Sequence, residues 1–250
     1  MAAPPVVEIE RRAREGVAWP RGAAIAVVLA AAATVGVAAW LADWLGIGGV
    51  VSRAAALAVV GSTIFLWLAV RRLHAPRFGV ANSVTLVRAA LTLLLASLVG
   101  AVPTPALGWV LVAVGTAAVA LDGVDGAVAR RRAEVGDFGA RFDMETDALL
   151  ILVLAALVWQ QGKAGVWILA AGLLRYLFVA GSSILPWLGA ALPPSRRRQA
   201  VCVVQIVSLL GALAPVVPLP WSAALALAGL AALVWSFAVD VLWLTRQART

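Results

Sequence analysis

A chain of 250 residues that is 63% hydrophobic and only 13% charged is too apolar for a water-soluble domain and falls among polytopic membrane proteins. Its formal charge of +8 would admit a nucleic-acid partner, but the arginines sit in short clusters between long apolar runs. That is the pattern of a positive-inside signature facing anionic headgroups, so membrane lipids are expected as partners and nucleic acid is not. The one cysteine, Cys202, excludes a disulfide framework or a cysteine-based metal site within a single chain.

Residues 1–21 read as a mixed-charge cytoplasmic leader carrying Glu8, Glu10, Arg11, Arg12, Arg14 and Glu15. The apolar run at 22–42 has the ~20 residues that a bilayer-crossing helix needs and exceeds a signal-peptide core, which predicts an uncleaved anchor. A second span at 47–70 leads into a basic connector with Arg71, Arg72 and Arg77, where Pro76 and Gly79 interrupt the helix. Six further spans are predicted at 82–102, 107–130, 138–159, 165–188, 199–217 and 221–244, divided by turns such as Pro103-Thr-Pro105. The runs are far longer than barrel strands, and backbone groups in lipid must be satisfied internally, so the predicted class is all-α, a polytopic membrane helix bundle.

Charge supports eight spans with both termini cytoplasmic. Alternate connectors carry Arg71, Arg72 and Arg77, then Arg130, Arg131 and Arg132, then Arg196, Arg197 and Arg198, and finally Arg246 and Arg249. On the opposite side only Lys163 stands clear of a span, and Arg53 sits just inside one, from where it can snorkel outward. Tryptophans such as Trp109, Trp159, Trp187, Trp221 and Trp243 fall near span ends, where interfacial anchors belong. The predicted organisation is a leader at 1–21, two additional N-terminal transmembrane helices with their connector at 22–79, and a six-helix catalytic core at 80–250.

Acidic residues inside two of these spans demand a reason, because an ionisable group at membrane depth must be paired, metal-bound or open to water. At 100° per residue, Asp122, Asp125, Gly126 and Ala129 share one stripe of their helix, and Gly139, Asp143 and Asp147 share one stripe of the next. A reversal at 131–138 brings the two pairs of carboxylates together. Left alone they repel one another, whereas one or two divalent cations neutralise them, and an all-oxygen donor set selects Mg²⁺, Mn²⁺ or Ca²⁺. Such a centre suits phosphate chemistry, and a carboxylate left partly free can act as general base. Asp122 lies eight residues before Arg130, only ~12 Å along the helix, so the site should open to the cytoplasm.

The string Asp122-x-x-Asp125-Gly126-x-x-Ala129-Arg130, followed after eight residues by Gly139-x-x-x-Asp143-x-x-x-Asp147, resembles the signature of the CDP-alcohol phosphotransferases (CDP-alcohol phosphatidyltransferases). Asn82-x-x-Thr85-x-x-Arg88 is similar to the opening of that family's first core helix. The resemblance spans about 80–245 and implies transfer of a phosphoalcohol group from a CDP-alcohol to a second alcohol, with release of CMP. It implies Asp122, Asp125 and Asp143 as metal ligands, and Asp147 as the catalytic base that also touches metal. It also implies Asn82, Thr85, Gly126, Ala129, Arg130 and Gly139 along the CDP site, and two divalent ions, Mg²⁺ or Mn²⁺. The implied partners are CDP-diacylglycerol or another CDP-alcohol and a polar alcohol acceptor, in a bacterial inner membrane, with homodimerisation left open.

Arg175, in the middle of the sixth span, needs a partner: an acceptor or lipid phosphate, or a structural ion pair. Arg196, Arg197 and Arg198 carry the same two readings, headgroup-facing cluster or acceptor-phosphate binder. Glu145 faces away from the acidic stripe and has Arg141 four residues before it as the expected ion-pair partner, while Asp240 is expected to pair locally. Two alternatives stand beside the phosphatidyltransferase reading: transfer of a CDP-linked headgroup to diacylglycerol, and a proton- or ion-coupled transporter built on the same acids.

Overall fold

A computed structural model describes the backbone of residues 21–72, 80–132, 137–190, 192–193 and 195–248. Side chains are described for these residues except at 21, 68–72, 80–81, 124–132 and 137–138. The leader at 1–20 and most of the first basic connector, 73–79, lie outside the described residues. The described residues are all-helical. In chain order the helices are α1 (Arg21–Leu45), α2 (Val50–Arg72), α3 (Val80–Ser97), α4 (Pro105–Arg132), α5 (Asp137–Gln160), α6 (Leu169–Ile184), α7 (Arg196–Leu213) and α8 (Trp221–Gln247). Short 3₁₀ turns at Val166–Ile168 and Pro186–Gly189 flank α6.

Among the described residues, five stretches are long and apolar enough to cross a membrane: Gly22–Leu45, Val50–Trp67, Pro105–Gly123, Val166–Ile184 and Trp221–Gln247. Asn82–Ser97 is apolar but shorter. The remaining two helices, α5 and α7, carry Asp143, Glu145 and Asp147, and Arg196, Arg197 and Arg198. The outward faces are lined with exposed apolar side chains, among them Leu29, Val59, Leu177 and Leu227. Trp40, Trp44, Trp159 and Trp221 stand exposed near helix ends, as side chains do that meet lipid and its interface.

Several boundaries differ from the sequence reading for local chemical reasons. Helix α3 ends at Ser97 and not near 102, because the Ser97 hydroxyl turns back onto the Leu94 carbonyl and Gly100 adopts φ +88, a conformation open to glycine. Helix α4 starts at Pro105, with the Thr104 hydroxyl accepting the Leu107 N–H at 3.1 Å, so Pro103-Thr-Pro105 supplies both the break and a capped start. The predicted single span at 165–188 is a shorter helix between two 3₁₀ turns. Helix α7 takes in the three arginines as its first turn, where Arg197 and Arg198 reach Asp240 of α8.

Small residues set how closely the helices approach. A Cβ at Gly172 of α6 would lie 2.4 Å from the Leu152 Cα of α5, and one at Gly115 of α4 would lie 2.4 Å from Leu210 Cδ2 of α7. Both are contacts that only glycine permits without movement, the packing device of membrane bundles that lack a hydrophobic drive between helices. Around them, Leu95, Leu111, Leu154, Leu157 and Leu209 form a continuous core through α3, α4, α5 and α7. A second cluster joins Val27, Phe65 and Leu86 with Phe142, and the Phe65 and Phe142 rings meet edge to face at 5.1 Å. Helices α1 and α2 thereby pack against α3 and against the residue next to Asp143.

Candidate metal and nucleotide site

The site draws on the C-terminal part of α4 and the N-terminal part of α5. Asp122 is supplied by the first, and Asp143 and Asp147, one turn apart, by the second. One carboxylate oxygen from each of these three lies within 4.8 Å of the others. Their side chains remain partly open, at 35%, 41% and 24% exposure, so the cluster faces outward from the bundle. Behind it lies a charge that is not open: Arg88 of α3, 1% exposed. Its Nη1 lies 2.9 Å from Asp122 Oδ1 and also donates to Asp143 Oδ1, while Nη2 donates to Asp147 Oδ1.

The remaining signature positions divide into those the structure describes and those it leaves aside. Asp125, Gly126, Ala129 and Arg130 lie on helical backbone of α4, but their side-chain placements are outside the described residues, as are residues 133–136 of the reversal expected at 131–138. Gly139 and Asn82 are neighbours: a Cβ at Gly139 would sit 2.8 Å from Asn82 Oδ1, so α3 and α5 approach here only because position 139 has no side chain. Thr85, one turn before Arg88, is buried. Cys202 of α7 also borders the cluster, with Sγ 3.9 Å from Asp147 Oδ2.

Three other basic candidates, Arg175, Arg197 and Arg198, have protein partners. Arg175 Nη2 contacts Glu145 Oε1 at 2.5 Å, joining α6 to α5. Glu145 therefore pairs across helices, and the Arg141 pairing expected from spacing of four is not the one that forms. Arg197 donates to the Ser236 carbonyl at 2.6 Å, to the Ser236 hydroxyl at 2.7 Å and to Asp240, and its guanidinium lies 5.6 Å from the centre of the Trp235 ring. Arg198 contacts Asp240 at 3.4 Å and the Pro193 carbonyl. Asp240 is thus paired between helices rather than locally. Arg196 is exposed.

Arg88 was absent from the predicted site residues. The signal for it was in the sequence: an arginine embedded in the apolar run of α3, two turns after Asn82, where a permanent charge must find a partner. Sequence spacing names no such partner, because the three carboxylates belong to other helices.

The family model for CDP-alcohol phosphatidyltransferases matches residues 78–239. The chain belongs to that family, one of transferases acting on a CDP-alcohol and an alcohol acceptor. Comparisons with curated proteins and with solved structures give no match. Together with its five apolar helices, the family makes this an integral membrane protein. The family uses divalent metals, and the observed donors fit one: hard carboxylate oxygens, drawn from two helices and lying within 4.8 Å of one another.

Proposed function

We propose that this protein transfers the phosphatidyl group of CDP-diacylglycerol to the hydroxyl of a small polar alcohol and releases CMP. In this reaction the acceptor oxygen forms a new bond to the β-phosphorus, the bond from that phosphorus to the CMP oxygen breaks, and the acceptor proton passes to a base. The observation that carries the reading is the convergence of Asp122, Asp143 and Asp147 on one point between helices of an apolar bundle. Asp122, Asp125 and Asp143 would hold the divalent ions, Mg²⁺ or Mn²⁺ and two in number. When bound, these ions supply charge stabilisation for the diphosphate and the departing CMP oxygen.

Asp147 is the residue for the acceptor proton. It is the least exposed of the three aspartates in the cluster, at 24%, and it stands one turn further along α5 than Asp143, which would be toward the tails of a lipid donor. Asn82 and Gly139, neighbours across α3 and α5, fit a wall for the nucleotide, and Thr85, Gly126, Ala129 and Arg130 are the positions that the family resemblance would add to it. Phosphorylated acceptors, glycerol 3-phosphate first among them, would need a cation. Exposed Arg196 is the least committed of the candidates, whereas Arg175, Arg197 and Arg198 would have to exchange protein partners for substrate. Serine, inositol phosphate and the reverse arrangement, a CDP-linked headgroup passed to diacylglycerol, are the other acceptor chemistries to test. The eight described helices would all be spans with both termini cytoplasmic in a bacterial inner membrane, α1 and α2 standing outside a six-helix core that begins at α3.

The test is CMP release by the purified protein in detergent, with CDP-diacylglycerol, Mn²⁺ or Mg²⁺, and a panel of acceptor alcohols. One acceptor should give CMP well above an Asp147→Asn control, and chelation should stop it. Release that no acceptor raises above that control, and that chelation leaves unchanged, would sink the reading.

A further inference from the structure

We propose that Arg88 is the positioning residue of the acidic cluster, holding Asp122, Asp143 and Asp147 at metal-ligating separation through one buried guanidinium; this rests on the metal-site reading above. The geometry supports an arrangement made by the protein itself. Nη1 reaches both Asp122 on α4 and Asp143 on α5, so a single nitrogen fixes the spacing between two helices, while Nη2 takes Asp147 one turn further along α5. Three carboxylates within 4.8 Å repel one another, and a cation placed among them offsets that repulsion. The arginine, in turn, is 1% exposed in an apolar helix, a position tolerated only when its charge is answered.

The arrangement is also compatible with a ligated ion. A carboxylate accepts at two oxygens, so a guanidinium contact at Oδ1 and a cation contact can coexist in one side chain. The carboxylates keep 24–41% exposure while Arg88 has 1%. The arginine is therefore fixed inside the bundle, and the carboxylates remain accessible to an ion arriving from outside. The planar fork matters as well as the charge, because a lysine has one nitrogen and cannot give Asp143 and Asp147, one turn apart on α5, a separate nitrogen each.

The deciding experiment is thermal unfolding of the full-length protein in detergent, comparing wild type, Arg88→Met and Arg88→Lys, each in EDTA and in saturating Mn²⁺. Wild type should gain stability with Mn²⁺. Arg88→Met should lose roughly 5–10 °C in EDTA and recover most of it in Mn²⁺, giving a metal-induced shift larger than that of wild type, with Arg88→Lys between the two. Equal losses in EDTA and Mn²⁺ would mark Arg88 as ordinary structure and overturn the inference, as would an unchanged melting temperature. Should Arg88→Met fail to fold in EDTA, adding Asp143→Asn should restore folding by removing one repelling charge, and a double variant no better than the single one also overturns it. A wild-type melting temperature that Mn²⁺ does not move overturns the metal-site reading itself, a result separate from equal shifts in wild type and variant.

Discussion

The two ends of the bundle handle polar side chains differently. At the end with Asn82, Asp122 and Asp143, charged side chains meet one another, Arg88 with three aspartates and Arg197 and Arg198 with Asp240, and the latter two arginines also donate to the Ser236 and Pro193 carbonyls. At the opposite end, polar side chains meet the backbone. Arg53 of α2 donates to the Ser97 carbonyl at 2.8 Å, and Lys163 donates to the carbonyls of Ala214 at 3.2 Å and Val217 at 2.7 Å. Gln160 both accepts from the Gly100 N–H at 2.6 Å and donates to the Ala101 carbonyl at 2.7 Å, and the Ser222 hydroxyl donates to the Lys163 carbonyl at 2.8 Å. Helix ends and turns leave carbonyl and N–H groups without helical partners, and these contacts satisfy them. The difference separates holding the helices together from doing chemistry. One end is closed by contacts to main-chain groups, and at the other like charges stand side by side around Arg88.

That contrast predicts where substitutions should cost activity and where they should cost stability. The largest effect belongs to Asp143→Asn or Asp122→Asn, which should abolish CMP release, a fall of roughly 10³-fold or more, through loss of metal-dependent charge stabilisation; initial rates at saturating Mn²⁺ measure it. Next comes Asp147→Asn, expected to cut turnover by about 10²–10⁴-fold as loss of a general base does, while nucleotide binding, followed by CDP titration, persists. If Asp147→Asn abolishes CDP binding as fully as Asp143→Asn does, the separate base role is wrong.

Away from the cluster the expected losses are in stability. In Gly172→Ala the new Cβ would meet the Leu152 Cα at 2.4 Å. Backbone cannot give way as a side chain can, so α6 must shift from α5 at a cost of about 1–3 kcal/mol. A lower melting temperature with unchanged affinity for CDP is the expected outcome, and altered affinity would tie α6 to the nucleotide site. The smallest effect should come from Lys163→Met, which removes two charge-assisted hydrogen bonds to carbonyls. A loss of about 1–2 kcal/mol and an unchanged KM for the acceptor are expected from denaturation and rate measurements. A changed KM would break the separation between the two ends.

Much of this was legible in the chain because lipid allows few solutions. Apolar length and the arginine clusters gave helices whose bounds mostly fall within a few residues of those observed, as in α5 at Asp137–Gln160 against a predicted 138–159. Where bounds moved, a local group decided them, such as the Ser97 hydroxyl or the Thr104 cap. Lys163 and Arg53 looked like exceptions to the charge pattern. Their explanation, carbonyls at the ends of other helices, depends on which helices adjoin. The pairing of Glu145 was misjudged for the same reason: spacing along one helix offered Arg141, and packing offered Arg175 at 2.5 Å.

Periodicity by itself put Asp122 on one stripe and Asp143 and Asp147 on another, since the angle between residues of a helix is fixed by the backbone. Composition by itself required a membrane bundle, because no soluble core could absorb so apolar a chain. Only the tertiary structure decided that the two stripes face Arg88 from a third helix, and that Asn82 fills the space Gly139 leaves. A helix fixes the direction of each side chain relative to its own axis, but the distance between a buried cation and its carboxylates is set by how several helices pack.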